Sequence, residues 1–193
     1  MSVSAPVGGG KSTLTRALAA RLPGASALHF DHYEKLTEGA LQDIKRWMGA
    51  GADVDELVIE GLAEDLARLK RGMPVIDPAG LQIDPADYIV FETPFARLHR
   101  ASGEHIDMAI WIDTPLDVAL ARNLREFLRR PEMRDSLPGW LGPYLDSYLD
   151  FVRELLVMQQ QMVGGAADLV LDGMRDVDAN LAVAEREIRA RLR

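Results

Sequence analysis

The stretch Ala5-Pro6-Val7-Gly8-Gly9-Gly10-Lys11-Ser12-Thr13 decides how the rest of the chain is read. Three successive glycines open the backbone to dihedrals closed to other residues, so consecutive N–H groups can point into one concavity. A helix beginning near Lys11 brings its positive dipole end and unpaired N–H groups to the same place. From there Lys11 can reach the β- and γ-phosphates of a nucleotide, and the Ser12 hydroxyl can ligate Mg²⁺. The pattern is G-x-x-x-x-G-K-[ST] with Ala5, also small, in the first glycine position. Val7, Gly8, Gly9, Gly10, Lys11, Ser12 and Thr13 are the phosphate-binding residues this reading expects. A glycine-rich surface turn before Lys-Ser is the alternative, and the flanking pattern separates the two.

That flanking pattern is strand, loop, helix. Leu14, Ala17, Leu18, Arg21 and Leu22 recur at helical spacing, and Pro23-Gly24 stops the helix. Upstream only Met1-Ser2-Val3-Ser4 precede the loop. The first strand is therefore expected to be shorter than the usual run of about 5–6 residues, or to lack residues at its start.

A chain of 193 residues suits one core, so a single domain over 1–193 is expected. With 48% hydrophobic and 27% charged residues it reads as soluble and globular. No run approaches the roughly 18 apolar residues of a membrane span, and no signal peptide opens the chain. There are no cysteines, which excludes disulfides, thiol catalysis and cysteine-based zinc sites. Together these predict a cytoplasmic protein. The net charge of −8 argues against a nucleic-acid-binding surface. Yet Arg122, Arg125, Arg129, Arg130 and Arg134 fall within thirteen positions, and a local basic cluster on an acidic chain suits a small anionic ligand.

Five apolar runs can serve as strands: Ser2–Ser4, Ser26–Phe30, Tyr88–Glu92, Met108–Asp113 and Asp168–Leu171. Helical patterns separate them, which predicts parallel strands joined by right-handed crossovers. Helices are expected over about Glu34–Met48 and Asp55–Lys70, the second with Val58, Leu62, Leu66 and Leu69 on one face. Irregular chain marked by Gly72, Pro74, Pro78, Gly80 and Pro85 follows. Beyond the fourth strand a helix runs from about Pro115 to Arg130, with Leu116, Leu120, Leu124 and Phe127 as its apolar stripe. At about 100° per residue, Arg122, Arg125 and Arg129 fall opposite that stripe. A turn-rich segment through Pro131, Pro138 and Gly142 is expected next, then a long helix over about Pro143–Met162 and a last one over about Val177–Arg191.

Ligands of open parallel sheets sit beyond the carboxyl ends of the strands, so polar residues just past each strand carry the most information. Asp31 follows the second run, where a carboxylate could orient or deprotonate a hydroxyl or hold Mg²⁺ through water. It could equally cap a helix starting at Tyr33. Glu92 ends an apolar strand, the form of the acid that positions hydrated Mg²⁺ beside a phosphate loop. Asp113-Thr114-Pro115 makes a good turn into a helix, which favours a structural role for Asp113. His29, His32, His99 and His105 lack zinc-site spacing; His32 and His99 could lie near the pocket, but all four read better as core or surface imidazoles. Trp47, Trp111 and Trp140 read as packing residues, with Trp140 placed where it could touch substrate.

Taken together, these stretches resemble the uridine kinase-like group of P-loop small-molecule kinases, which also includes phosphoribulokinase, pantothenate kinase and nicotinamide riboside kinase. The likeness rests on Gly8–Leu14, on Asp31-His32-Tyr33, on Leu66–Val75, on Pro85–Glu92, on Ile112–Arg122 and on Ala167–Leu171. It implies that Lys11 and Ser12 bind phosphate and Mg²⁺, that Asp31 is the base near the acceptor hydroxyl and that Glu92 supports Mg²⁺. It further implies that Arg122 and Arg125 are lid cations. Two positions depart from the group's pattern. Thr93 stands where a glycine is usual, and the elements that hold uridine are not recognisable between Val75 and Pro85.

The expectation is an α/β three-layer P-loop NTPase fold with a five-stranded parallel sheet and a small helical lid over about 125–143. The function expected is ATP-dependent phosphorylation of a hydroxyl on a small metabolite such as a nucleoside, a sugar or a vitamin precursor. ATP and Mg²⁺ are its cofactors, with Lys11, Asp31, Arg122 and Arg125 as catalytic residues and Ser12, Glu92 and Asp31 around the metal. The alternative is a nucleotide-binding ATPase switch without a small-molecule acceptor.

Overall fold

The computed structural model describes residues 1–34 and 41–191, and the side chains of all of these except 41–44 and 131–138. Five parallel strands form the central sheet: β1 (Ser2–Ser4), β2 (Ala25–His29), β5 (Tyr88–Glu92), β6 (Ala109–Asp113) and β7 (Leu169–Asp172). Their order is β2-β5-β1-β6-β7. The first strand is indeed three residues long, and it pairs on both sides, Val3 aligning with Glu92 and with Ile110.

Strand alternation splits the apolar residues between two cores. Val3, Val90, Ile110 and Ile112 face α1 (Lys11–Arg21) and α8 (Val177–Arg191), through Leu14, Leu18, Leu181 and Ile188. Leu28, Phe91 and Trp111 face the other way, onto α3 (Leu62–Lys70), through Leu62, Leu66 and Leu69, and onto Val163. Helices on both faces of a parallel sheet make the three layers.

Three expectations change. The helix expected from Asp55 begins at Leu62, because Gly61 takes φ 78° and breaks it; Val58 is left 83% exposed instead of joining the apolar face. The segment expected to be irregular contains a hairpin, with β3 (Val75–Ile76) antiparallel to β4 (Gln82–Ile83) around Asp77–Leu81. Two-residue strands give too little periodicity to be read against their Pro and Gly neighbours. The turn-rich segment after Arg130 is helical: α5 (Leu116–Arg129) is followed by α6 (Pro131–Ser147), which takes Pro at its first turn. The helical course then continues through π-helical Tyr148–Val152, α7 (Arg153–Gln159) and π-helical Gln160–Gly164. The lid expected over 125–143 is thus the end of one helix and most of the next. Of the helix expected over Glu34–Met48, residues 35–40 lie outside the described residues, and α2 (Leu41–Gly49) covers the remainder. A short α4 (Arg100–Gly103) lies between β5 and β6.

Candidate active site

The glycine-rich loop leaves the carboxyl end of β1 and enters α1 directly. Gly10 is the residue before the helix and takes φ 101°, and no side chain caps the helix or places an acid in its first turn. Gly8 takes φ 77° and lies so close to α5 that a Cβ there would sit 2.1 Å from the Ala119 carbonyl oxygen. Both positions therefore need glycine, one for its turn and one for its turn and its contact. The Thr114 hydroxyl, fully buried, donates to Gly9 O at 3.0 Å and ties the loop to the start of α5.

Around this loop opens a cleft of about 690 Å³. Val7, Gly8, Gly9, Gly10, Lys11, Ser12 and Thr13 line it, together with Asp31, Glu92, Arg122 and Arg125. Every site residue expected from the sequence thus borders one space. Arg129 and Arg130 join them, as do Arg16 and Arg175, which the sequence reading missed. Arg16 follows Ser12 by one helical turn, a spacing that could have found it; Arg175 sits in the loop after β7, where no pattern marked it.

The acidic side is tightly bonded. Ser12 Oγ donates to Glu92 Oε1 at 2.7 Å, and His29 Nδ1 lies 2.5 Å from Glu92 Oε2. Burial alone would raise the Glu92 carboxyl, but the His29 and Ser12 hydrogen bonds and the Lys11 charge together hold it below its ordinary value. His29 is raised, chiefly by its hydrogen bond to Glu92. Burial lowers the Lys11 ammonium, against the pull of Glu92 and Asp31, and its Nζ donates to Ala5 O at 3.3 Å. Asp31 lies inside the 3-10 turn Phe30–His32, exposed to the cleft. Ser12 and Glu92 offer hard oxygen donors side by side, the kind Mg²⁺ takes. Among the described residues no group of three or more His, Asp or Glu side chains could hold a cation by itself.

On the other wall, Arg122 donates to Gly173 O at 3.1 Å, which ties α5 to the loop after β7. Asn123 Nδ2 donates to Tyr144 Oη at 2.8 Å, joining α5 to α6. Trp140 stacks on Tyr144 with ring centroids 4.6 Å apart and meets Phe127 edge-on at 4.7 Å. Trp140 thus packs between α5 and α6. Asp113 caps no helix: its carboxylate accepts from Gln160 Nε2 at 2.6 Å and from Trp111 Nε1 at 3.4 Å, a structural role by another route.

No family model matches the chain, and no curated protein does. Solved structures of similar shape include the shikimate kinase of Acinetobacter baumannii in complex with shikimate, at 16% identity and a TM-score of 0.53, covering 100% of this chain and 94% of that one. The shikimate kinase of Aquifex aeolicus is similar at 15% identity and a TM-score of 0.51, over 98% and 97% of the two chains. That of Bacteroides thetaiotaomicron follows at 14% identity and 0.50, over 97% and 96%. The likeness is one of fold: the chain has the three-layer α/β architecture of P-loop kinases.

Proposed function

We propose that the protein is an ATP-dependent kinase that transfers a phosphoryl group to a hydroxyl of a small metabolite. The observation that carries this reading is the convergence of Lys11, Ser12, Glu92, Arg122 and Arg125 on one cleft, with Ser12 bonded to Glu92. Loop N–H groups and Lys11 would hold the polyphosphate. Ser12 would ligate Mg²⁺ with Glu92 behind it, and the bound ion would neutralise charge on the phosphate oxygens. Asp31 would orient the attacking hydroxyl and accept its proton. Arg122 and Arg125 would stabilise the charge of the transferring group and keep water out. Such a reaction needs positioning and charge more than covalent chemistry, and these residues supply both. Within the small-molecule kinases, the run Asp31-His32-Tyr33 and the stretch Leu66–Val75 favour a uridine kinase-like enzyme.

The test is ADP release from Mg-ATP against a panel of hydroxyl-bearing metabolites, with product identified by mass. A phosphorylated product formed with equimolar ADP, and lost in Lys11→Ala, is the expected result. A melting temperature indifferent to Mg-ATP would contradict the reading, since ligand at a hundredfold excess over Kd stabilises by about 2.7 kcal/mol.

A further inference from the structure

Beside Asp31 stands a histidine–carboxylate pair that the phosphate chemistry leaves unused. His32 Nδ1 lies 2.5 Å from Asp77 Oδ2, across 45 positions of chain. Asp77 belongs to the turn of the β3–β4 hairpin, its side chain is 1% exposed, and its other oxygen accepts the Leu81 N–H at 2.8 Å. In the neutral imidazole, a carboxylate that only accepts selects the tautomer with its proton on Nδ1, which leaves the Nε2 lone pair free. Nε2 has no partner among the described residues, and the His32 side chain is 31% exposed.

A tie between the hairpin and the end of β2 does not need a buried charge. Removing a carboxylate from water carries a penalty that apolar packing avoids. What the pair provides, and apolar packing does not, is an imidazole held in one orientation with a nitrogen open to solvent. The pair also adjoins the phosphate site. The His32 ring centroid is 5.3 Å from that of His29, which bonds Glu92, which bonds Ser12.

We propose that His32, oriented by Asp77, binds a hydroxyl of the phosphoryl acceptor other than the one attacked, so that the acceptor is polyhydroxylated rather than a simple alcohol. This rests on the phosphotransfer reading of the same cleft. Asp31 and His32 are consecutive on one 3-10 turn. An acceptor presenting its reacting hydroxyl to Asp31 meets His32 with a second hydroxyl a few bonds away, whose O–H donates to Nε2. Asp77 touches no substrate and acts as a positioning residue.

The test is steady-state kinetics of the full chain with Mg-ATP and named probes: D-ribose, D-glucose, D-fructose, uridine and adenosine, their monodeoxy counterparts, and 1-propanol. His32→Ala is expected to raise the KM of the accepted polyol about tenfold, as for one lost hydrogen bond, with the KM for ATP unchanged. His32→Asn retains a donor for Asp77 but lacks Nε2, so it is expected to raise the acceptor KM similarly while melting near the wild-type temperature. Removing the matching hydroxyl from the probe should weaken the wild type and leave both variants within about twofold. Asp77→Asn should raise the acceptor KM less than His32→Ala. An acceptor KM unmoved in His32→Asn overturns the proposal, as does 1-propanol accepted as well as any polyol. So does a wild type that binds Mg-ATP but phosphorylates none of the polyols. A chain that does not bind Mg-ATP overturns instead the phosphotransfer reading beneath it.

Discussion

On the β6–β7 side of the phosphate loop arginines dominate the cleft lining, whereas on the β2–β5 side the carboxylates Asp31 and Glu92 line it, with His29 bonded to Glu92 and His32 next to Asp31 in the chain. Arg122, Arg125, Arg129 and Arg130 come from α5 and the residue after it, joined by Arg175 from the loop after β7. Opposite them, His29 and Glu92 end adjacent strands in register, Asp31 and His32 follow on the next turn, and Asp77 reaches in from the hairpin. The strand order β2-β5-β1-β6-β7 produces this division, because it sets the loop after β1 between the two sides. In the proposed reaction one wall would face the polyphosphate, the other the metal and the acceptor hydroxyl.

The division can be broken at its centre. Lys11→Ala removes the loop's own side-chain cation, and phosphotransfer is expected to vanish in the ADP-release assay while the circular dichroism melt stays cooperative. Asp31→Asn tests the acidic wall: kcat should fall by about 10²–10⁴-fold, the range of general-base assistance, with little change in the KM for ATP. A kcat near that of the wild type would reduce Asp31 to a turn residue. Arg122→Ala and Arg125→Ala test the cationic wall, each expected to lower kcat by about 10²–10³-fold. The half-buried Arg122 also bonds Gly173 O, so its loss should lower the melting temperature more than that of the exposed Arg125.

The two walls also differ in how far they can be read from sequence. Arg122, Arg125 and Arg129 repeat at helical spacing on one element, so a helical wheel finds them before any fold is known. The acidic wall has no such local pattern. Glu92 and Asp31 were legible because each follows an apolar strand, but His29 and His32 carry no motif, and their partners lie 63 and 45 positions away. Asp77 sits in a hairpin of two-residue strands, below the length at which alternation registers. Thr114 escaped for a similar reason: its bond to Gly9 O spans 105 positions. The sheet itself was legible because its five runs are apolar and separated by helical patterns; Gly61 hid the true start of α3 through its left-handed backbone alone.

Smaller effects sharpen the account of the acidic wall. His29 is raised and Glu92 lowered by their mutual bond, so the sign of each contribution follows. The His29 part is complete below the ordinary histidine value of 6.5 and is lost as pH rises through its raised value. The Glu92 part is complete above the ordinary value of 4.5 and is lost as pH falls through its lowered value. The melting-temperature deficit of His29→Ala, worth about 1.5–3 kcal/mol for a charge-assisted bond, should therefore be greatest between those two ordinary values and shrink at higher pH. A deficit that stays constant as pH rises from that range through the raised His29 value would contradict the ion pair. Least of all, Thr114→Val deletes one bond to the loop and should weaken Mg-ATP binding about fivefold, as for about 1 kcal/mol, by isothermal titration calorimetry.

In the proposed reaction, one cleft holds the polyphosphate between the loop and the α5 arginines. A crystal structure with Mg²⁺ and a non-hydrolysable ATP analogue tests it most directly. Phosphate oxygens are expected at the N–H groups of Gly8 to Thr13, Mg²⁺ at Ser12 with Glu92 behind it, and Arg122 and Arg125 directed at the terminal phosphate. A nucleotide bound elsewhere, or both arginines pointing into bulk solvent with the analogue in place, would contradict it.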